Sequence, residues 1–326
     1  MNLQDRTSIY LSIVFSFRNE GDVIPELIRR TRAVMKEATQ KNLIKKYQLI
    51  FVNDASTDHS LPLLLEAARG QNDMAIINMS RTFGVAPCIM AGLAYAKGDA
   101  IIYMDADLQD PPELIIKMLE AYLADSELDV VHTVRLSRQG ESRFKLLITK
   151  LGYSILNNYS NVSIPPDAGD FKLLSRRAVD QILQFKENNP FMRGIIAWVG
   201  FKQSFIPYNR EARFAGKSKF FVLGRKVVDN FLNSAIVNFS SVPLQIASYL
   251  GLMAILVDVL IVFHALYQKF TGVAVPGWTA LMVAILFIGG VQLFCLGMIG
   301  LYLNSVHEQS KMRPSYIVSS TYGFEK

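Results

Sequence analysis

Cysteine is nearly absent. Cys88 and Cys295 are the only two in 326 residues, one in a stretch of mixed composition and one in an apolar run. Such a chain has no disulfide framework and suits a reducing compartment. It also lacks a basic helix interleaved with base-stacking aromatics, which speaks against nucleic acid as the partner of a net charge of +6 and a pI near 9.2. Anionic lipid and anionic substrates suit that charge better. There is no internal repeat, no low-complexity segment and no visible secretory signal. The N-terminus runs directly into a strand pattern, so the mixed-composition part is expected in the cytoplasm.

What the chain has in excess is apolar residues, 51% of the total, with mean hydropathy +0.23. The excess is local. Val242 to Tyr267 and Trp278 to Leu303 are continuous apolar runs, each longer than the roughly 20 residues that cross hydrocarbon. They are expected to be two transmembrane helices. Lys217, Lys219, Arg225 and Lys226 precede the first run, Lys311 and Arg313 follow the second, and the linker between them holds only Lys269. That asymmetry places the enzyme-like domain and both termini in the cytoplasm. Asp258, inside the first run, is a costly carboxylate expected at a helix or subunit contact. Gly289, Gly290, Gly297 and Gly300 allow close helix packing and suggest a homo-oligomer. The stretch from Lys217 to Ser241 alternates aromatic and aliphatic residues with cations and reads as amphipathic helix at the lipid headgroups. The expected segments are therefore 1–213 (catalytic), 214–241 (interfacial), 242–267 and 278–303 (spanning) and 304–326 (tail).

The first part alternates strand and helix patterns. Strands are expected at Tyr10 to Phe17, Gln48 to Val52, Ala75 to Asn78, Ala100 to Met104 and Val130 to Val134. Helices are expected at Val23 to Thr39, Leu61 to Arg69, Pro87 to Ala96 and Phe144 to Leu156. Phe171 to Leu174 and a piece of Val199 to Tyr208 supply further strands. The alternation argues for an α/β fold, a Rossmann-like, mostly parallel sheet with helices on both faces. Ligands of such sheets bind at the carboxyl ends of the strands. Those ends carry Asn19 and Glu20, Asn53 and Asp54, Ser80 and Arg81, Asp105 and Asp107, and Arg135.

The fourth strand runs into Asp105-Ala106-Asp107-Leu108-Gln109-Asp110-Pro111-Pro112-Glu113. Carboxylates one residue apart at a strand end, with no His or Cys nearby, suit a hard cation, Mg²⁺ or Mn²⁺, whose shell is completed by water and substrate phosphates. The plainer alternative is an acidic turn ahead of a helix that the prolines start.

Phe17-Arg18-Asn19-Glu20, Val52 to Asp58, Ser80-Arg81-Thr82-Phe83-Gly84, the acidic string and Ala215-Gly216-Lys217-Ser218-Lys219 occur in that order. Together they resemble the family 2 glycosyltransferases with a GT-A fold, and within them the polyprenyl-phosphate glycosyltransferases. Ser16, Arg18 and Ala55 depart from the family's usual residues. The resemblance implies a nucleotide-sugar donor, a polyprenyl-phosphate acceptor held in membrane lipid, and inversion at the anomeric carbon. UDP-glucose is the expected donor, with UDP-4-deoxy-4-formamido-arabinose, GDP-mannose and UDP-GlcNAc as alternatives. It implies metal ligation by Asp107, Asp105 and Gln109. It implies donor binding by Asn19, Glu20, Asp54, Asp58, Arg81, Asp105, Arg213, Ser218 and Lys219, with Asp58 alternatively a helix cap. Arg135 and Arg143, with Arg138 as a weaker candidate, match the acceptor-phosphate arginines. Asp170 matches a carboxylate often treated as a base. A phosphate monoester has its second pKa near about 6 and is already a nucleophile at neutral pH, so Asp170 has an orienting role as its alternative. Trp198 reads equally as a sugar platform or core. The rival functional classes are a transporter or flippase component with a nucleotide-binding domain, and a processive synthase, for which the spans are too few and a Gln-x-x-Arg-Trp motif is missing.

Overall fold

The computed structural model describes residues 8–136, 168–188, 190–211, 242–271 and 277–324. The chain divides into two compact units, Met1–Ser154 with Val162–Phe221 and Arg313–Lys326, and Ile155–Asn161 with Val222–Met312.

The first unit is built on β1 (Ile9–Phe17), β2 (Ile44–Asn53), β3 (Met74–Met79), β4 (Ala100–Asp105), β5 (Val130–Arg135), β6 (Ala168–Ser175), β7 (Gln203–Tyr208) and β8 (Val318–Tyr322). These form one sheet in the order β7-β5-β6-β4-β1-β2-β3-β8. The first four strands pair in parallel, as do β5 and β7. β6 is antiparallel to both β4 and β5, and β8 is antiparallel to β3. The sheet is therefore mixed: six strands run the same way, in keeping with the mostly parallel sheet expected, and β6 and β8 run against them. β6 returns between β4 and β5, so these two are not neighbours. This places the start of β6 beside the end of β4, and so Asp170 beside the acidic string.

Side-chain parity assigns the helices to the two faces. Leu11, Ile13, Phe15, Leu49, Phe51, Ile102 and Met104 face one way and share a core with α1 (Ile24–Gln40) and, across Ile115 and Leu119, α4 (Leu114–Ala124). The opposite face meets α3 (Val85–Tyr95), where a Cβ on Gly92 would come within 2.2 Å of Val14 Cγ1. That contact explains a glycine inside a helix. α2 (Ser60–Ala67) follows β2, while α5 (Arg176–Ile182) and α6 (Met192–Trp198) follow β6. β2 starts earlier than its apolar pattern suggests. Lys45 and Lys46 are exposed there because β3 joins β2 only from Leu49 onward.

The expected tail contributes to this unit. β8 registers Ile76 against Tyr322, Ser80 N–H donates to Ile317 O at 2.9 Å, and Phe324 packs on Tyr95 with ring centroids 5.1 Å apart. Residues on both sides of the C-terminal helices thus belong to one sheet.

The second unit contains α7 (Val242–Phe270) and α8 (Trp278–Ser310). Cys295 Sγ lies 3.2 Å from Ala247 O, joining the two helices. Among the described residues one stretch, Ala284–Ser310, is long and apolar enough to cross a membrane, with mean hydropathy 2.2; the apolar stretch of α7 is the shorter Ala247–Ile261. The expected pair of spans is thus found as one qualifying helix and one shorter apolar one. Leu252, Leu260, Phe263, Leu286 and Leu293 are exposed on these helices. The side chain of Asp258, the helix expected at Phe144 to Leu156 and the interfacial stretch lie outside the described residues, and both cysteines are free.

Candidate active site

Six of the eight strands run the same way, so their carboxyl ends line one edge of the sheet, joined there by the amino end of β6. Two groups of loops meet along that edge.

The loops after β1, β2 and β3 are knit by small polar side chains. Asn19, at φ 52°, takes Thr57 N–H on Oδ1 at 2.7 Å and gives its own N–H to Ser56 Oγ at 2.9 Å. Glu20 N–H donates to Ser60 Oγ at 3.0 Å. Asn53 Nδ2 donates to Asn78 Oδ1 at 2.8 Å, and Asn53 Oδ1 accepts from Ser56 N–H at 3.0 Å. The two oxygens of Asp54 accept from Phe83 N–H at 2.6 Å and Gly84 N–H at 3.1 Å, so this carboxylate holds the loop that starts α3. Asp58 accepts from Ser60 N–H, at the start of α2, at 3.1 Å and from Gly21 N–H at 3.2 Å. Arg81 is exposed, its guanidinium 4.1 Å over the Phe83 ring.

At the end of β4, Asp105 accepts from Ser16 Oγ at 3.3 Å, so the departure from the family pattern at residue 16 supplies a donor to the acidic string. Asp107 is buried, and its Oδ1 accepts from Gln109 N–H at 3.1 Å. Leu108, between them, holds φ at 55°, a left-handed conformation that costs a side-chain-bearing residue about 1 kcal/mol or more. The strain turns the chain sharply between Asp107 and Gln109. Desolvation, then the charges of Asp170, Asp107 and Asp110, push the Asp105 carboxyl up to about 7. Among the described residues no group of three or more His, Cys, Asp or Glu side chains is arranged to hold a metal ion. The donor set nonetheless fits a hard divalent cation: carboxylate oxygens crowded enough to repel one another, too few to fill an octahedral shell without phosphate and water.

Asp170 reaches this cluster from β6 and is bound by Arg193 of α6, with Nε to Oδ1 at 2.9 Å and Nη2 to Oδ2 at 2.6 Å. Burial alone would raise the Asp170 carboxyl. Arg193, then Lys172 and Arg135, outweigh it and hold the group at about 2. Lys172, buried on β6, is itself pushed down to about 7 by desolvation, which Asp170 only partly offsets.

Arg135 ends β5. Its Nε donates to the Tyr208 hydroxyl at 3.2 Å and its Nη2 lies 3.8 Å from Asp110 Oδ2. The Tyr208 hydroxyl donates to Asp110. Desolvation, then Asp110, push that hydroxyl up to about 12, so it stays protonated. Arg30 of α1 bridges Glu113, at 2.6 and 2.9 Å, to Glu211, at 3.1 and 3.3 Å, fastening the chain beyond β7 to the acidic string.

The structure thus brings together Asp105, Asp107, Gln109, Arg135 and Asp170 at one edge, with Asn19, Glu20, Asp54 and Asp58 in the adjoining loops. Arg138, Arg143, Arg213, Ser218 and Lys219 lie outside the described residues. Trp198 is exposed, edge-on to Phe185 with centroids 5.3 Å apart, and so is not core. Arg193, Lys172 and Tyr208 are not anticipated by the sequence, and Asp110 is anticipated only as part of the acidic string, with no role of its own. The local sequence of the first three carries no chemical pattern; an arginine one residue after a methionine in a short helix resembles any surface cation.

The family profile "Glycosyl transferase family 2" matches residues 12–183. An uncharacterized glycosyltransferase of Synechocystis is 40% identical over 319 residues, covering 98% of this chain and 97% of that protein. A bactoprenol glucosyl transferase of Shigella phage SfV is 34% identical over 313 residues, covering 95% and 98%. The prophage bactoprenol glucosyl transferase homolog of Escherichia coli is 35% identical over 313 residues, covering 94% and 98%. Among solved structures, the mannosyltransferase PcManGT of Pyrobaculum calidifontis, in complex with GDP-Man and Mn²⁺, covers 89% of this chain and 87% of its own at 14% identity and a TM-score of 0.45. With the profile match over more than half its length and these near-full-length relatives, the chain belongs to glycosyl transferase family 2.

Proposed function

We propose that the chain is a membrane-bound inverting glucosyltransferase that moves glucose from UDP-glucose to the phosphate of a polyprenyl phosphate. The observation that carries this reading is the meeting, at one sheet edge, of paired carboxylates at Asp105 and Asp107 with a guanidinium at Arg135 that, among the described residues, is hydrogen-bonded to no carboxylate. The names of the bactoprenol relatives point to the same acceptor.

Asp107, Asp105 and Gln109 would hold Mg²⁺ or Mn²⁺, which when bound supplies positive charge to the departing diphosphate as a Lewis acid. Arg135 draws the lipid phosphate to the edge and offsets its repulsion from the donor's phosphates. A phosphate oxygen then bonds to the anomeric carbon while the bond from that carbon to the UDP β-phosphate oxygen breaks, and UDP leaves with the electron pair. No proton has to be removed from the acceptor. Asp170 fits this scheme as an orienting group: a carboxyl held at about 2 by Arg193 is a very weak base at neutral pH.

The topology supports a membrane hairpin. β8 follows α8 in sequence yet joins the sheet that holds β1 to β7. If Ala284–Ser310 crosses a bilayer, the chain must cross a second time for both parts to share one sheet, and α7 supplies that crossing by tilting or thinning the bilayer locally. The catalytic unit and both termini then lie on the cytoplasmic side, as the distribution of cations suggests.

The test offers full-length protein in membranes a panel of labelled nucleotide sugars with undecaprenyl phosphate and Mg²⁺, and follows label into organic solvent. Label from UDP-glucose alone supports the reading; label from another donor corrects the sugar. No organic-extractable label with any donor overturns it.

A further inference from the structure

Most arginine-carboxylate pairs in the catalytic unit close into two-pronged hydrogen-bonded forks. Arg32 meets Asp73 at 2.8 and 2.9 Å, Arg30 meets Glu113 at 2.6 and 2.9 Å, and Arg193 meets Asp170 at 2.6 and 2.9 Å. Asp110 is different. It is 1% exposed and flanked by two guanidiniums, yet hydrogen-bonds to neither. Arg135 Nη2 stands 3.8 Å from Oδ2, and Arg210 Nε stands 3.6 Å from Oδ1. Among the described residues, Oδ2 of Asp110 and Nε of Arg210 are both buried without a hydrogen-bond partner. Among the same residues the bond Asp110 receives comes from the Tyr208 hydroxyl, which in turn accepts from Arg135 Nε.

This is an unusual way to spend a buried carboxylate. Two guanidiniums side by side repel, and Asp110 offsets one of the two charges. It does so from beyond the roughly 3.2 Å limit of a sound N–H···O bond, so it draws both cations together without using up their N–H groups. These three groups carry a net charge of +1 and, among the described residues, keep most of their donors. The arginine backbones are fixed. Arg135 ends a strand, Leu136 N–H donates to Tyr208 O at 2.9 Å, and Glu211 N–H, next to Arg210, donates to Gln109 O at 3.0 Å. Arg210 is 30% exposed, which leaves a path to its guanidinium from solvent. Two planar forks held close, with donors to spare, match the oxygens of a phosphate monoester dianion.

We propose that Arg210 is a second binding residue for the acceptor phosphate, paired with Arg135, and that Asp110 is the carboxylate positioning both. The inference rests on the reading that the acceptor is a polyprenyl phosphate, and deepens it by naming a residue outside the resemblance.

The test uses full-length protein with Arg210→Gln, Arg210→Lys and, as a charge control, Arg69→Gln at an exposed helix end. Acceptor and donor are varied separately. Arg210→Gln is expected to raise KM for undecaprenyl phosphate by about 10- to 100-fold, the loss of one charge-assisted contact. KM for UDP-glucose should stay within twofold, Arg210→Lys should recover part of the acceptor affinity, and Arg69→Gln should match the parent. A second measurement needs no turnover: calorimetric titration with farnesyl phosphate in EDTA, where Arg210→Gln should bind about tenfold more weakly, and the thermal midpoint reports folding. If Arg210→Gln does not fold, Arg210→Lys carries the same comparison with a smaller expected rise. An acceptor KM unchanged within twofold, a loss falling on the donor instead, or farnesyl phosphate binding that ignores Arg210 overturns the proposal while leaving the transfer reaction intact. Arg210-dependent binding of farnesyl phosphate without sugar transfer by the parent protein upholds the site and overturns the reaction.

Discussion

The two halves of the active edge are built from different materials. Below β1, β2 and β3 the loops are tied by short side chains to backbone N–H groups: Asn19 to Thr57, Asp54 to Phe83 and Gly84, Asp58 to Ser60 and Gly21. Below β5, β6 and β7 the contacts are between ionised groups brought in from distant parts of the chain: Asp170 with Arg193, Asp110 with Arg135 and Arg210, Arg30 with Glu113 and Glu211. The first half is a cradle in which even the carboxylates of Asp54 and Asp58 are occupied by backbone N–H groups. The second holds charge at low solvation, suited to drawing one anion toward another. A charge buried without its partner costs far more than a lost loop hydrogen bond, so the two halves should respond to mutation differently.

Asp107→Asn is expected to have the largest effect. The amide keeps the acceptor oxygen for Gln109 N–H but removes a carboxylate from the proposed metal set. Sugar transfer should fall by about a thousandfold, the scale of removing a main electrostatic stabiliser, with the thermal midpoint nearly unchanged. Label transfer measured beside a melting curve checks both. Transfer within tenfold of the parent would remove Asp107 from the metal site.

The charged half is probed next by Asp170→Asn, Arg193→Gln and the double variant. The pair is only 25–30% exposed, so each single change strands a charge. Each should cost about 2–3 kcal/mol in urea unfolding, below the full buried-pair range because of that exposure. The double variant should cost clearly less than the sum. Additive losses would mean the two groups do not depend on each other.

The contrast between the halves also decides what the sequence reveals. The acidic string, the strand ends and the loop residues Asn19, Asp54 and Asp58 were legible because each sits in a local motif whose partners lie in neighbouring loops. Asp58 has two readings in the sequence, donor ligand or helix cap; in the structure its carboxylate takes Ser60 N–H and Gly21 N–H, ahead of a helix whose N-cap is His59. The ion network was not legible. Tyr208 and Asp110 are 98 residues apart, and Arg30 and Glu211 are 181 apart. Only the sheet order joins them, and that order depends on β6 slipping in antiparallel between β4 and β5, which strand-helix alternation does not foretell. β8 was hidden for a related reason. It follows the apolar helices and has exposed residues on a sheet edge, so its pattern resembles a solvated tail.

The carboxylate crowding predicts a pH effect on metal binding. The Asp105 carboxyl sits near 7 in the metal-free protein, so below that pH it is protonated and a cation must displace the proton. Above pH 7 the affinity for Mn²⁺ should be level; below it, affinity should fall by up to about tenfold per pH unit, the slope of one displaced proton. Asp170, held near 2, should add nothing to this window. Mn²⁺ titration followed by electron paramagnetic resonance at pH 6 and 8 measures the difference, and Asp105→Asn should flatten the profile while weakening binding. An unchanged affinity across that range would place the cation away from Asp105.

The smallest expected effect sharpens the cradle. Ala55, in the loop after β2, holds φ at 50° where the family often has glycine. The left-handed conformation costs alanine about 1 kcal/mol or more, while glycine loses about 0.5–1 kcal/mol through the greater freedom of its unfolded chain. The balance favours Ala55→Gly by roughly 0.5 kcal/mol. Urea unfolding should show that gain, with KM for UDP-glucose within twofold, because hydrogen bonds from Thr57 N–H to Asn19 Oδ1 and from Ser56 N–H to Asn53 Oδ1 hold the loop whatever the side chain at residue 55. A stability gain with a raised donor KM would show that the strained alanine, rather than those hydrogen bonds, keeps the cradle in shape.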